Sequence, residues 1–282
     1  MLVVGQIAGS AALSAAVTVG AFVIQDLLGQ TTPWGGIASA TVTIGTAFMA
    51  QLLSRLMLRQ GRRVGLMAGY SMAIVGGLVA GLGVELQSLT VFLIGLFLFG
   101  NGQSANLLSR YAATDLAEPT ERGAAMSRIL FASTFGAVFG PLLIRPAEEL
   151  GKAAFGWNQY TGPWVFSGLF FLTSLINVSL RLKPDPLVVA GGLRSQQKLD
   201  VNGVASPGVK VLSFLKSSPK TRLAFYGMMI SHITMVAVMT MTPVHLRQHG
   251  HETVSAYIIS LHIAGMYAFS PFIGRFSDRN GR

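Results

Sequence analysis

Methionine and histidine residues recur at helical spacing near the end of the chain, and their side chains could bind a soft metal ion. Six of the twelve methionines fall between residues 228 and 266. His232-x-x-Met235-x-x-x-Met239 has spacings of three and four, so its three side chains share one helical face. His262-x-x-x-Met266 has the same i, i+4 geometry. Thioether sulfur and imidazole nitrogen suit Cu(I), and they suit Mg²⁺ or Ca²⁺ poorly because those cations prefer oxygen.

Apolar stretches of membrane-spanning length must position these residues. A spanning helix needs about 20 mostly apolar residues. Eight stretches qualify, at about 3–25, 35–57, 64–84, 89–110, 125–144, 161–181, 222–244 and 254–274. Because 51% of the residues are hydrophobic and 11% are charged, an ordinary soluble domain is excluded. The sequence therefore predicts an all-α membrane protein with a six-helix bundle at 1–181, a polar cytoplasmic linker at 182–221 and two further helices at 222–282.

The placement of lysine and arginine predicts the orientation of these helices. If the N-terminus is cytoplasmic, all but three of the 21 basic residues fall in inner segments, and the outer loops hold Arg145, Lys152 and Arg247. The net charge of +10 is therefore read as an orientation signal. It does not indicate a nucleic-acid partner, and the expected surroundings are a lipid bilayer.

The two methionine-containing segments are expected to meet at the same depth. Met235 lies close to the membrane midplane, and Met239 lies about 6 Å further out at about 1.5 Å per residue. His262 and Met266 straddle the same midplane. The alternative is that methionine fills gaps in an apolar interior and that the histidine is a hydrogen-bonded core residue. Two such pairs on adjacent helices at matching depth favour the metal-binding interpretation.

Two basic loops occupy equivalent places in a weak internal repeat. Arg59-Gln60-Gly61-Arg62 follows the second stretch, and the run from Gly274 to Arg282 follows the eighth. The second run resembles the G-x-x-x-D-R-x-G-R loop signature of the major facilitator superfamily. In the first copy Ser54 and Leu58 stand where Gly and Asp would be, which puts its ion pair in doubt. The resemblance implies a gating role for Asp278, Arg279, Gly281, Arg282, Arg62 and Arg63.

The superfamily resemblance also implies a fold and an activity. It implies a transporter of twelve spans, so the chain is expected to stop in the loop before the ninth. The segment from Gly136 to Pro141 resembles the G-x-x-x-G-P motif of antiporters in this superfamily, so a proton-coupled drug or metabolite exporter is an alternative. The same glycines could merely let two helices approach closely. No Asp, Glu or Lys lies in the middle of a stretch, which weakens proton coupling through a buried carboxylate.

The paired motifs are similar to those of one family of copper importers. Met235-x-x-x-Met239 and His262-x-x-x-Met266 resemble the M-x-x-x-M and H-x-x-x-M motifs of the CcoA-like proteins. The resemblance implies a bacterial inner-membrane importer in which Met235, Met239, His262 and Met266 hold Cu(I) as the transported substrate. It also implies copper chaperones or oxidase assembly factors as partners. A non-transporting copper-binding assembly factor remains an alternative.

The sequence gives little support for an enzyme. It contains no cysteine, which excludes thiol nucleophiles and thiolate metal sites. His251-Glu252 lacks the second histidine of an H-E-x-x-H zinc motif, and no phosphate-binding loop is present. We therefore predict a transporter without a resident cofactor.

Overall fold

Helices form the whole of the regular structure that is described. The computed structural model describes residues 2–29, 33–118, 120–191, 215 and 217–280. The helices within these ranges are α1 (Leu2–Leu28), a short 3-10 turn (Pro33–Gly36), α2 (Ile37–Gln60), α3 (Arg62–Glu85), α4 (Leu89–Ala112), α5 (Arg122–Leu142), α6 (Ile144–Phe155), α7 (Thr161–Arg181), α8 (Pro186–Val189), α9 (Pro219–Gln248), α10 (Glu252–Ala268) and α11 (Ser270–Asn280). In this part of the chain, eight helical segments are long and apolar enough to cross a membrane. The predicted all-α membrane fold is confirmed.

Local chemistry explains where several helices begin and end. The Ser88 and Ser218 side chains accept hydrogen bonds from the backbone N–H groups at the starts of α4 and α9, which satisfies donors that a helix leaves unpaired. Gly61 has φ +99°, a conformation that favours glycine, and it makes the sharp turn from α2 to α3. Pro271 has no N–H for the carbonyl of Tyr267, so the predicted eighth span is divided at Phe269 into α10 and α11.

Helices α1 to α7 pack around an aromatic centre. Trp164 on α7 meets Phe92 and Phe99 on α4 edge to face, with ring centroids 5.3 and 5.5 Å apart. All three side chains are almost fully buried. Such edge-to-face pairs stabilise a core beyond the area they bury. They join α4 to α7 on the side of the bundle where α3 also packs.

Helices α1 and α5 approach each other through the glycines of the antiporter-like segment. A Cβ atom on Gly136 would collide with the carbonyl oxygen of Ile7, and one on Gly140 would collide with the carbonyl oxygen of Ala11. The backbone of α1 therefore occupies the space that side chains would need. This geometry matches the packing interpretation of the segment from Gly136 to Pro141.

Helices α9 to α11 form a second group that packs mainly on α5. The Ser260 hydroxyl of α10 donates to the carbonyl of Val138 at 2.7 Å, and Ile259 and Ile263 pack against Ala137. Helix α9 contacts α1 and the short turn before α2. Most of the predicted linker at 182–221 lies outside the described residues, so the predicted domain boundaries stay a prediction.

Helix α6 was not predicted from the sequence. It is too short and too polar for a membrane span, and it was treated as part of a loop. Its buried residues Ile144, Ala147 and Gly151 recur at spacings of three and four, which places them on one face. Gly156, with φ +68°, ends the helix in the left-handed conformation. Helix α6 packs on the start of α7.

Candidate functional site

A cavity of about 400 Å³ lies between the two groups of helices. Helices α1, α2, α4 and α5 form one wall, and α9 and α10 form the other. The described lining contains no Asp or Glu side chain. Its polar members are hydroxyls, amides, one guanidinium and one imidazole, namely Ser10, Ser14, Ser39, Thr43, Thr46, Gln103, Asn106, Arg110, His232, Thr240 and Tyr267.

Three of the four predicted copper ligands line this cavity. Met235 and Met239 of α9 and Met266 of α10 face it, and each is half-buried. His262 is exposed and is not part of the lining. The helix geometry explains the difference, because Ile263 is buried against α5 and the preceding residue is rotated by about 100° from it. The histidine in the lining is His232.

Carboxylate side chains do not join the methionines among the described residues of the lining. Within the described part of the chain, no three His, Asp or Glu residues come together as a possible metal site. A soft metal held in the cavity would depend on thioether sulfur and on the imidazole of His232, the histidine of the described lining. These are donors for Cu(I), and they are poor donors for hard divalent cations.

Helix α4 supplies a polar stripe that the sequence interpretation missed. Gln103, Asn106 and Arg110 recur at spacings of three and four and all line the cavity, so they share one face. The Asn106 side-chain oxygen accepts a hydrogen bond from the Tyr70 hydroxyl at 3.2 Å. The Arg110 guanidinium lies 5.9 Å from the ring centre of Tyr267 on α10. The signal was present in the sequence as polar residues at helical spacing inside an apolar stretch.

Contacts between the two groups of helices lie at one end of the cavity. The Thr240 hydroxyl of α9 donates to the Ser39 hydroxyl of α2 at 2.9 Å. Beyond it, Arg247 pairs with Asp26 at 2.7 Å and donates to the carbonyl of Phe22 at 3.1 Å. We call this the Arg247 end. The opposite end, where Arg62, Arg110 and Asp278 lie, is called the basic end.

At the basic end, Asp278 caps a helix of the first group. Its two carboxylate oxygens accept backbone N–H groups from Gly123 at 3.1 Å and Ala124 at 2.8 Å. These donors lie in the first turn of α5, where a negative charge is favourable. Arg279 is exposed. The remaining residues predicted for this gating loop, Gly281 and Arg282, lie outside the described residues.

The arginines of the first loop have partners from other segments. Arg62 donates from Nε and Nη2 to the two carboxylate oxygens of Asp115, at 2.8 and 3.0 Å. Arg63 donates from Nη2 to the Ser179 carbonyl at 2.7 Å, and its backbone N–H donates to Asp185 at 2.7 Å. Leu58 replaces the acidic residue of the loop signature, so these carboxylates come from elsewhere in the chain. The loop signature identified neither Asp115 nor Asp185.

Comparison with known proteins agrees with this architecture. The family model described as Major Facilitator Superfamily matches residues 2–282. Two proteins of Bacillus subtilis (strain 168), named uncharacterized MFS-type transporters YdeG and YddS, are each 35% identical to the chain, over 284 and 283 residues. These matches cover 99% and 100% of the chain, which spans 64% of the length of each relative.

A third relative is more distant. The riboflavin transporter RfnT of Brucella anthropi is 27% identical over 225 residues, which cover 79% of this chain and 52% of that protein. All three relatives are named as transporters, which agrees with the prediction of a transporter and not an enzyme. The match over the described helices and the identity to the two Bacillus proteins show that the chain belongs to the Major Facilitator Superfamily.

Proposed function

We propose that this protein moves a small solute across the bacterial plasma membrane by alternating access. The observation that carries the proposal is a cavity whose walls come from both groups of helices. A solute bound between two bodies can be exposed to either side as they rock against each other. In the proposed orientation the N-terminus and the basic end face the cytoplasm, because the basic loops cluster there.

The contacts between the groups supply the two gates of this cycle. The Ser39–Thr240 hydrogen bond and the Arg247–Asp26 pair hold the Arg247 end closed. The carboxylate of Asp278 on α11 accepts hydrogen bonds from the start of α5 and holds the two groups together at the basic end. Each contact consists of a few polar groups, so it can be exchanged at a modest cost in free energy. The cycle therefore needs no large rearrangement inside either group.

A labelling experiment tests the cycle. Because the chain has no cysteine, Val236→Cys would place one thiol on the cavity wall. In sealed vesicles, a membrane-impermeant thiol reagent should label this cysteine when it is added from either side. Ala73→Cys is the matched control, because Ala73 is fully buried within the first group and its cysteine should stay unlabelled. Labelling of residue 236 from one side alone would contradict alternating access.

Cu(I) is one candidate for the transported substrate. The observation that favours it is the presence of Met235, Met239 and Met266 in one cavity. Thioethers bind Cu(I) without adding charge. The resemblance to copper importers supplies His262 as the fourth ligand, whereas the cavity supplies His232.

Measuring copper uptake by cells that express single variants distinguishes these two ligand sets. With membrane abundance held equal, Met235→Ala should abolish uptake if the thioethers bind copper. Loss of uptake in His262→Ala would support the ligand set taken from the resemblance. Loss in His232→Ala with normal uptake in His262→Ala would support the set that lines the cavity. Normal uptake in Met235→Ala would exclude the copper proposal.

Two alternative functions are a drug or metabolite exporter and a copper-binding assembly factor that does not transport copper. Deleting the gene of a drug or metabolite exporter should increase drug sensitivity, whereas deleting a copper importer should lower oxidase activity in a way that added copper restores. A copper-binding assembly factor would bind Cu(I) in reconstituted vesicles without carrying it across. The packing of Gly136 and Gly140 against α1 gives the exporter interpretation no separate support.

A further inference from the structure

Arg110 is a cationic group in the cavity wall, and within the described part of the chain its guanidinium contacts the ring of Tyr267 but has no hydrogen-bond acceptor or carboxylate partner. No hydrogen bond or ion pair joins it to a described residue, and its Nε atom is buried without an acceptor. The neighbouring basic residues differ. Arg62 is paired with Asp115, Arg63 donates to Ser179, and Arg128 is exposed. Arg110 lies in the last turn of α4, and a charged side chain that lines a cavity between spanning helices usually marks a pathway or a binding site.

The residues described around Arg110 in the cavity include no negatively charged side chain. The described lining has no carboxylate, and Arg110 is the one permanently charged side chain there. In a setting of low dielectric constant, an uncompensated guanidinium attracts an anion more strongly than it would in water. The cavity is therefore electrostatically complementary to a negatively charged ligand.

Helix α4 places its polar side chains one after another along the length of the cavity. Arg110 lies toward the basic end, and Asn106 and Gln103 follow at about 6 and 10 Å along the helix axis. Tyr267, on the other group of helices, lies across from the guanidinium. Apolar and sulfur-containing side chains, including Met235 and Met266, cover the facing wall. The volume of about 400 Å³ is in the usual range for small-molecule sites.

We propose that Arg110 binds the oxyanion of an organic acid, a carboxylate or a phosphate monoester, while Asn106 and Gln103 face its polar groups. The methionine wall takes the apolar body of this ligand. This inference rests on the proposed function, because it names the substrate class of the same cavity. A ligand held between Arg110 of one group and Tyr267 of the other contacts both bodies that move, so its binding is coupled to their movement.

Matched probes of one shape test this assignment. The probes are 1-naphthoate, 1-naphthyl phosphate and the neutral 1-naphthamide, and binding to the detergent-purified full chain is followed by the shift in its thermal unfolding, measured by scanning calorimetry. At least one of the two anions should bind about tenfold or more tightly than the amide, because charge-assisted hydrogen bonds to a guanidinium exceed neutral ones. The anion that binds more tightly identifies the oxyanion as a carboxylate or a phosphate.

The variants assign the effect to one side chain. Arg110→Gln should weaken anion binding by about tenfold to a hundredfold and leave the binding of the amide unchanged. Arg110→Lys should restore part of the loss, because it keeps the charge without the forked geometry. Arg128→Gln is the matched control, since it removes an equal charge from the same end outside the cavity, and its anion affinity should equal that of the wild type.

Three outcomes would overturn the inference. They are equal binding of the acids and the amide, unchanged anion binding in Arg110→Gln, and displacement of the bound anion by phosphatidylglycerol, which would make Arg110 a lipid-headgroup site. The labelling of Val236→Cys is a separate readout. If Val236→Cys is labelled from both sides but the acids and the amide bind equally, the anion site alone is refuted. If it is labelled from one side only but anion binding depends on Arg110, the alternating-access proposal is refuted and the anion site stands.

Discussion

Asp278→Asn tests whether the contact between α11 and α5 stabilises the conformation seen in the structure. The Asp278 carboxylate accepts the N–H groups of Gly123 and Ala124 at 3.1 and 2.8 Å. Asparagine keeps one acceptor oxygen and turns a donor toward the second N–H group. The substitution therefore removes one hydrogen bond and the full charge at the start of a helix.

The expected magnitude follows from these two losses. A charge in the first turn of a helix contributes about 0.3–1 kcal/mol, and a hydrogen bond to a charged group contributes about 1.5–3 kcal/mol. Asp278 is half-buried, and the remaining oxygen compensates in part, so a net loss of about 1–2 kcal/mol is expected. Since about 1.4 kcal/mol is a factor of ten in an equilibrium, α11 should separate from α5 roughly 5- to 30-fold more often.

A buried cysteine reports this separation. Ser127 is buried and lies beneath Gly274 of α11, where a Cβ atom would stand 2.6 Å from its hydroxyl oxygen. In the cysteine-free chain, Ser127→Cys should react with a maleimide only when α11 moves away. Adding Asp278→Asn should raise the labelling rate by the same 5- to 30-fold, if opening is fast and reversible.

Glu121→Gln is the matched control for this measurement. Glu121 precedes the same helix and makes no side-chain hydrogen bond to its first N–H groups, so its loss should change the rate less than twofold. A labelling rate that stays within twofold of the parent in Asp278→Asn would refute the proposed role of this contact. An equal rise in both variants would assign the effect to helix charge alone.

Three further predictions address other contacts. Ser39→Cys combined with Thr240→Cys should form a disulfide under mild oxidation, because the two hydroxyls are 2.9 Å apart; the cross-link should stop transport, and a reductant should restore it. Gly136→Ala should destabilise the protein by about 1–3 kcal/mol in thermal unfolding, whereas Gly265→Ala, which has open space around it, should be near neutral. Asp185→Ala should weaken the starts of α3 and α8 by about 1 kcal/mol and increase amide hydrogen exchange there.

The spans of the fold could be predicted because membrane insertion imposes a strong compositional rule. Each spanning helix must satisfy its own backbone and present apolar side chains over about 20 residues, and this pattern is local. Helix α6 was not predicted because it is short and polar and buries only one face, so it lacks the long apolar stretch that identifies a spanning helix. The division at Phe269 depends on one proline, which in membrane helices is often tolerated without a break.

The candidate site could be predicted only in part, since it depends on how helices rotate about their axes. The i, i+4 spacing correctly indicated that Met235 and Met239 share a face, and both line the cavity. Spacing within a helix does not state which face meets the partner helix. The burial of Ile263 against Ala137 fixes the rotation of α10 and leaves His262 exposed. Long-range partners such as Asp185, 122 positions from Arg63, carry no local signal.

The two substrate classes make opposite demands on the charge of the cavity. A Cu(I) ion among neutral thioethers would share its space with the guanidinium of Arg110, and like charges repel where few compensating groups are present. An organic anion would be attracted by the same group and would use the methionines as apolar surface. Arg110→Gln should therefore leave Cu(I) uptake unchanged or increase it, and it should reduce uptake of an organic acid. Because Arg110→Gln should reduce uptake of an organic acid and should not reduce uptake of Cu(I), this one substitution distinguishes the two substrate classes.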